Sequence, residues 1–198
     1  MSENYFFVHL KTVMKHRALV RKACFKIGLY YQGLAHDLSK YSFEEFSVGI
    51  KFYQGVRSPN TEERKVLGCS KAWMHHKGRN KHHFEYWTDI RPETGKYGPV
   101  EMPPKYLAEM AMDRIAACKV YQGENYTPGS ALAYLEKSRE HAFMHPITEA
   151  KLRCIFSVLE REGEKAMYSF VRDTVLNGKE FGMEFLNERE QSDKTDEK

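Results

Sequence analysis

The stretch HRALVRKACFKIGLYYQGLAHDLSK, residues 16–40, decides the fold, because it joins a helical apolar pattern to a histidine–aspartate pair. Apolar residues recur every three or four positions before it as well, so the sequence predicts a helix over 5–28. A second, shorter helix is predicted over 30–38. Since only a short turn separates the two, antiparallel packing can bring His16 close to His36 and Asp37.

The remainder of the chain continues the helical pattern. Ser42 followed by Glu45 has the spacing of a capping box. A Gly- and Pro-rich loop is predicted over 90–104, where it would form a lid or rim, and no segment is predicted as a β-strand. The sequence thus predicts an all-α, single-domain bundle over 1–180 and a polar tail over 181–198. The further helices are predicted at 42–54, 61–76, 104–121, 130–143, 147–161 and 163–177.

Composition limits the class of protein. The chain has 198 residues, 41% hydrophobic and 29% charged, with a net charge of +4. No run approaches the ~20 apolar residues that cross a bilayer, and the N-terminus lacks the order of a secretory signal. We therefore expect no membrane partner and a cytoplasmic location. Four widely spaced cysteines without a CxxC pair favour buried free thiols over disulfides or a cysteine zinc site.

Histidine and aspartate are the ligands of hydrolytic metal centres. Asp113 stands in an apolar helical stretch and can complete a site with His16, His36 and Asp37. Two imidazoles and two carboxylates with open positions suit Mn²⁺, Fe²⁺, Zn²⁺ or Co²⁺ better than Ca²⁺. His9 is the alternative first ligand; the spacing of His16 before Gly28 favours His16.

A second histidine cluster lies in WMHHKGRNKHHFEYW, residues 73–87. His76 and the pair His82–His83 bracket a chain reversal, so they can share a second metal or hold a substrate phosphate. Asp37 is then the candidate bridge between two metals. The competing hypothesis is a basic RNA-contacting loop, in which lysines, an arginine and the nearby aromatic residues supply charge and stacking.

The order of these residues resembles the HD superfamily of metal-dependent phosphohydrolases. The resemblance implies that one metal is held by His16, His36, Asp37 and Asp113. It also implies that His76, His82 and His83, which lie between Asp37 and Asp113 in the chain, hold a second metal. More closely, HDLSKYSFEEF, AWMHHKGRNKHHFEYW and EMAMDRIAA are similar to segments of a family of bacterial and phage proteins, the domain-of-unknown-function family 5662, over roughly residues 5–180. That family brings no settled substrate.

The leading hypothesis is therefore a phosphomonoesterase or phosphodiesterase that uses metal-activated water. It would need one or two divalent ions (Mn, Fe, Zn, Co or Mg) and would act on a nucleotide or another small phosphorylated substrate. Asp37, Lys40 and Arg79 would act on the reacting phosphate, while Glu45 or Glu85 would orient a ligand imidazole or take a proton. Two alternatives stay open: a two-metal iron oxygenase, and a non-catalytic nucleotide- or RNA-binding module.

Overall fold

Helices dominate the computed structural model, which describes residues 5–186. The all-α prediction is confirmed: the described residues form a single helical domain with one small two-stranded sheet. In chain order the elements are α1 (Tyr5–Lys26), α2 (Tyr30–Ala35), α3 (Phe43–Lys51), α4 (Pro59–Leu67), α5 (Lys71–Arg79), β1 (Thr88–Ile90), β2 (Tyr97–Pro99), α6 (Pro104–Gln122), α7 (Ser130–Ser138) and α8 (Pro146–Phe170).

Helix α6 lies at the centre of the core. Its buried residues run from Leu107 to Cys118 and cover most of its circumference, as expected of a helix packed on several sides. It contacts α1, α7 and α8, and α8 contributes fully buried residues such as Phe156 and Leu159. Because α6 also carries Asp113, the core holds this candidate ligand on a rigid element.

Helix α1 serves both the core and the candidate site. Its C-terminal half buries Val20 and Cys24 against α6, while its N-terminal half buries His9 and His16. Helix α1 also packs against α2 and α3. The predicted pairing of the first two helices is therefore what places a buried histidine of α1 beside the end of α2.

The predicted helix over 61–76 is wrong, because the chain forms two helices there. Gly68 adopts a left-handed conformation with φ 78° and ends α4. The Ser70 side chain then accepts a hydrogen bond from the Trp73 N–H at 3.0 Å, which starts α5. The reorientation between α4 and α5 points the first histidines of the second cluster toward α3, which α5 contacts.

The predicted loop over 90–104 also contains regular structure that the sequence did not indicate. Strands β1 and β2 pair antiparallel, with Thr88 opposite Pro99 and Ile90 opposite Tyr97. The strands are short and mostly exposed, so they lack the alternating apolar pattern from which strands are recognised. The prediction of no strand is therefore wrong for this hairpin.

Near the C-terminus the predicted break at Gly163 is confirmed. Gly163 has non-helical angles, φ 80° and ψ 179°, so α8 consists of two helical parts that meet at a kink there; a π-helical turn, Val171–Val175, follows. Phe181 packs edge-on against Phe170, so this first residue of the predicted tail packs against the domain. The rest of the tail from residue 187 onward lies outside the described residues.

Two further expectations concern thiols and membranes. All four cysteines are free, and Cys24 and Cys118 are buried as expected. Cys69 is exposed because it lies in the turn between α4 and α5, and Cys154 is half-buried. Within residues 5–186, no helix has the length and apolar character needed to cross a membrane.

Candidate metal centre

The turn after α2 carries His36 and Asp37 and is held in an uncommon shape. Asp37 has φ 54°, the left-handed conformation that non-glycine residues rarely adopt. Arg17 of α1 braces the turn: its Nε donates to the carbonyl oxygen of His36 at 2.8 Å, and its Nη2 donates to that of Leu34 at 3.0 Å. As a result, the His36 and Asp37 side chains are both buried and face the same interior space.

The first group of candidate ligands combines His16, His36, Asp37 and Asp113. Nε2 of His16 lies 2.9 Å from Oδ1 of Asp113 and 3.4 Å from Oδ2 of Asp37. Nε2 of His36 lies 3.4 Å from each of the same two oxygens. Four potential ligand atoms from α1, the α2 turn and α6 therefore converge on one buried space.

The second group uses the other oxygen of the same aspartate and comprises Asp37, His76, His82 and His83. Nε2 of His76 and Nε2 of His82 each lie 3.3 Å from Oδ1 of Asp37. The rings of His76, His82 and His83 contact one another, with centroids 4.3 to 6.2 Å apart. Asp37 thus presents one carboxylate oxygen to each group.

A second layer of carboxylates orients the imidazoles. Oε1 of Glu109 lies 2.9 Å from Nδ1 of His36 and 3.1 Å from Nδ1 of His82. Oε2 of Glu45 lies 2.7 Å from Nδ1 of His76. Ionised carboxylates only accept hydrogen bonds, so each Nδ1 donates to its carboxylate. Each Nε2 is thereby turned toward Asp37, where it would offer its lone pair to a bound metal. Carboxylate–histidine pairs of this kind are the usual support of metal ligands in proteins.

Several polar atoms in the centre are buried without a hydrogen-bond partner among the described residues. They include Oδ1 of Asp37, Nε2 of His82 and Nε2 of His83. Buried polar atoms are rarely left unpaired, because desolvation without compensation costs about 1–3 kcal/mol for each. A divalent cation would satisfy all three at once. The donor set and its orphaned atoms therefore fit a metal.

The charges of the centre are strongly coupled. Burial acts to raise the pKa values of Asp37 and Asp113, but the neighbouring imidazoles hold both pKa values well below their usual range. Burial acts to lower the pKa of His36, and the surrounding carboxylates overcome it and raise that pKa well above its usual value. His83 differs, because burial and then the neighbouring imidazoles lower its pKa well below the usual value.

Lys40 provides the centre with a cation. Its Nζ lies 2.6 Å from Oδ2 of Asp37, and its side chain is 30% exposed. Burial opposes the charged form, yet the Asp37 carboxylate raises the pKa of Lys40 above its usual value. The lysine therefore stays charged at the border between the buried ligands and solvent.

The structure brings together all seven residues predicted as metal ligands, and it places the other predicted site residues in different environments. Lys40 and Glu45 contact the ligands directly. Glu85 is half-buried with Oε2 unpaired among the described residues, and burial raises its pKa. Arg79 is exposed at the end of α5, where its charge acts on Glu44 instead.

Three features of the centre were missed in the sequence. Glu109 precedes Asp113 by four residues on α6, so helical spacing places both carboxylates on one face and could have revealed it. Arg17 follows His16 directly, but its role depends on carbonyl groups that no sequence pattern shows. His75, whose Nδ1 lies 2.7 Å from Oε1 of Glu45, joins the support layer and not the ligand groups.

An open pocket of about 590 Å³, counting the solvent in its mouth, leads to the centre. His16, Lys40 and Glu45 lie at its inner end. Its outer walls come from α1, α3, the start of α4 and the end of α6. The pocket therefore reaches the candidate ligand His16, together with Lys40 and Glu45, which contact other candidate ligands.

Comparison with known proteins gives the family and no function. Residues 6–158 match the family described as a family of unknown function, DUF5662. The chain belongs to this family. The matched range contains every residue of both candidate ligand groups. Neither the curated proteins nor the solved structures contain a match to the chain.

Proposed function

We propose that this member of the DUF5662 family is a metal-dependent phosphohydrolase of the HD type. The observation that carries the proposal is the position of Asp37, whose two carboxylate oxygens each face a separate group of buried imidazoles. With a divalent cation in each group, Asp37 would offer one carboxylate oxygen to each ion. The order of ligands along the chain resembles that of the HD superfamily, which supports the same reaction.

Different residues of the chain would have different roles in phosphoryl transfer. Divalent cations, when bound, activate water and stabilise charge on phosphoryl oxygens. Lys40 holds the Asp37 carboxylate and, from the pocket side, presents a positive point charge to an incoming phosphate. Glu109 and Glu45 fix the orientation of three imidazoles.

The ligand chemistry narrows the choice of cation. The first group offers two imidazoles and two carboxylates, and the second offers three imidazoles and one carboxylate. Mixed nitrogen and oxygen ligands suit Mn²⁺, Fe²⁺, Co²⁺ and Zn²⁺, whereas Mg²⁺ and Ca²⁺ prefer oxygen alone. We therefore expect a transition metal in at least the histidine-rich second group.

Burial favours the metal hypothesis over the RNA-binding loop. His76 and His82 are each 2% exposed, and the His83 ring packs edge-on against Trp73. Imidazoles that point into the interior in this way cannot contact a nucleic acid bound at the surface. The iron oxygenase alternative shares the same ligands, so the reaction itself must distinguish the two.

Metal analysis of an aspartate variant tests the proposal. Asp37→Asn keeps the shape of the side chain, and asparagine tolerates the left-handed conformation, but the bridging charge is lost. We expect one to two equivalents of transition metal in the wild-type protein and a loss of most of it in the variant. Asp173→Asn, at an exposed aspartate paired with Arg172, is the matched control and should retain its metal.

The reaction is tested by phosphate release from a panel of phosphate esters with Mn²⁺, Co²⁺ or Fe²⁺, with and without oxygen. Release that is independent of oxygen and absent in Asp37→Asn would support the hydrolase. Metal-free wild-type protein, or unchanged metal in Asp37→Asn, would refute the site. Metal-loaded protein that releases no phosphate but consumes oxygen would identify the iron oxygenase instead.

A further inference from the structure

The pocket above the candidate metal centre contains a second histidine that the proposed reaction does not use. His9 is 8% exposed, and its Nδ1 is buried without a hydrogen-bond partner among the described residues. It belongs to neither ligand group but lines the same pocket as His16 and Lys40. A buried imidazole with an unsatisfied ring nitrogen beside an open pocket suggests a ligand that supplies the missing partner.

The surroundings of His9 are shaped to hold its ring in place. The ring contacts Phe46 and Tyr53, with centroids 5.1 and 6.0 Å away. Gly49 of α3 leaves the space for it, because a Cβ built at Gly49 would lie 2.0 Å from Nε2 of His9. Burial, and then the charge of Lys40, lower the pKa of His9 to about 4, so the imidazole is neutral near pH 7.

The pocket offers one positive charge and several neutral polar groups. Among the described residues that line it, Lys40 is the sole lysine or arginine, and it lies at the inner end. The outer part presents hydroxyl groups: Thr12 Oγ1 and the Tyr53 hydroxyl lie 3.1 Å apart, and Tyr121 lines the facing wall. A phosphate at the inner end would therefore pair with Lys40, whereas a second phosphate farther out would meet no lysine or arginine among the described lining residues.

Helix geometry gives the distance between the two ends. His9 and His16 lie seven residues apart on α1, which places them on the same face, with a rise of about 10 Å between them. An atom hydrogen-bonded to His9 is thus several bonds away from a phosphorus atom near His16. The ligand that spans both ends is an ester whose alcohol part extends well beyond its phosphate.

We propose that the pocket takes phosphomonoesters with a single phosphate on an uncharged, hydroxyl-bearing alcohol, and that His9 is the positioning residue for the alcohol part. This inference rests on the proposed function. In the reaction, water adds to phosphorus, the bond between phosphorus and the alcohol oxygen breaks, and that oxygen takes up a proton. The products are inorganic phosphate and the free alcohol.

The preference for one phosphate is tested without any substitution. The Mn²⁺-loaded full-length protein is assayed with adenosine mono-, di- and triphosphate, and with ribose 5-phosphate beside phenyl phosphate, which lacks hydroxyl groups. We expect kcat/KM for the monophosphate to exceed those for the di- and triphosphate at least tenfold. We also expect ribose 5-phosphate to be preferred over phenyl phosphate. Equal rates along either series would overturn the inference.

The role of His9 is tested by the ratio of kcat/KM for ribose 5-phosphate to that for phenyl phosphate. We expect His9→Phe to lower this ratio about three- to tenfold, mainly through KM, as for the loss of one hydrogen bond. His9→Asn, whose amide can replace Nδ1, should restore much of the ratio. His141→Asn, at an exposed histidine, is the control and should match the wild type.

Metal content distinguishes a failure of the role of His9 from a failure of the proposed hydrolase function. Both His9 variants should keep the metal content of the wild type, since His9 lies outside the ligand groups. Phosphate release with an unchanged substrate ratio in His9→Phe and His9→Asn would overturn this inference alone. Failure of the metal-loaded wild-type protein to release phosphate from every ester would overturn it together with the proposed function.

Discussion

Replacement of Glu109 by glutamine should weaken metal binding at both ligand groups. One oxygen of this carboxylate lies 2.9 Å from Nδ1 of His36, in the first group, and 3.1 Å from Nδ1 of His82, in the second. Glutamine preserves the shape of the side chain but removes the negative charge and makes one end a donor. Both imidazoles therefore keep at most a neutral acceptor, which is weaker than the carboxylate that holds Nε2 toward Asp37.

The size of the effect follows from the number of imidazoles affected. Loss of a carboxylate that supports a ligand histidine typically weakens metal affinity about 10- to 100-fold, or about 1.4–2.8 kcal/mol. In Glu109→Gln this applies to both groups. Glu45→Gln, which disturbs the support of His76 only, should affect the second group alone. At a fixed excess of Mn²⁺, the loss summed over both groups, about 2.8–5.6 kcal/mol, should lower the metal-dependent rise in Tm of Glu109→Gln by roughly 6–20 °C.

Competition titration of Mn²⁺ against a fluorescent chelator measures the affinity for the ion. Thermal unfolding with and without Mn²⁺ measures the metal-dependent rise in Tm. Glu149→Gln is the matched control, because this buried carboxylate on α8 pairs with Arg139 and belongs to neither ligand group. It should lose stability equally with and without Mn²⁺ and keep its affinity for the ion. A folded Glu109→Gln protein with wild-type affinity at both binding steps would refute the reasoning.

Four further substitutions probe the helical frame of the protein by thermal or denaturant unfolding and Mn²⁺ titration. Arg17→Leu should lower Mn²⁺ affinity about tenfold, since it releases two carbonyls of the turn that carries a ligand pair; unchanged affinity would contradict the bracing role. Gly49→Ala should destabilise the protein by about 1–3 kcal/mol through its clash with His9, whereas Gly78→Ala, in open space within α5, should stabilise it by about 0.5–1 kcal/mol. Gly163→Ala should cost about 1–3 kcal/mol because φ is 80° there, and a neutral result would show that the kink relaxes.

The helical frame was predictable because α1 and α6 are long segments rich in apolar residues, without the alternation of a strand; in α6 these residues run around most of the helix. The positions of His16 and Asp113 followed from it, since both lie on long helices that face the same interior. The break between α4 and α5 could have been predicted, as Gly68 and Ser70 are typical stop and start residues. The hairpin could not, because its short exposed strands carry no apolar alternation.

The finer parts of the candidate site depend on contacts between elements distant in sequence. His9 alone gives no indication that Gly49, forty residues later, makes room for its ring. Arg79 was expected near the phosphate because it lies between clustered histidines, yet its place on the last turn of α5 directs it to solvent. Local spacing therefore indicated the candidate ligands, whereas side-chain direction decided which charged neighbours join them.

The left-handed backbone at Asp37 lowers the stability of the protein at the residue that the candidate metal centre needs most. A non-glycine residue in this conformation costs about 1–2 kcal/mol, and here the same residue also buries a carboxylate completely. Glycine at this position would relieve the backbone cost, but it would leave Lys40 and the surrounding imidazoles without their counter-charge. The electrostatic contacts of the carboxylate therefore offset the backbone strain, and a side chain without charge at this position would keep the strain and lose the compensation.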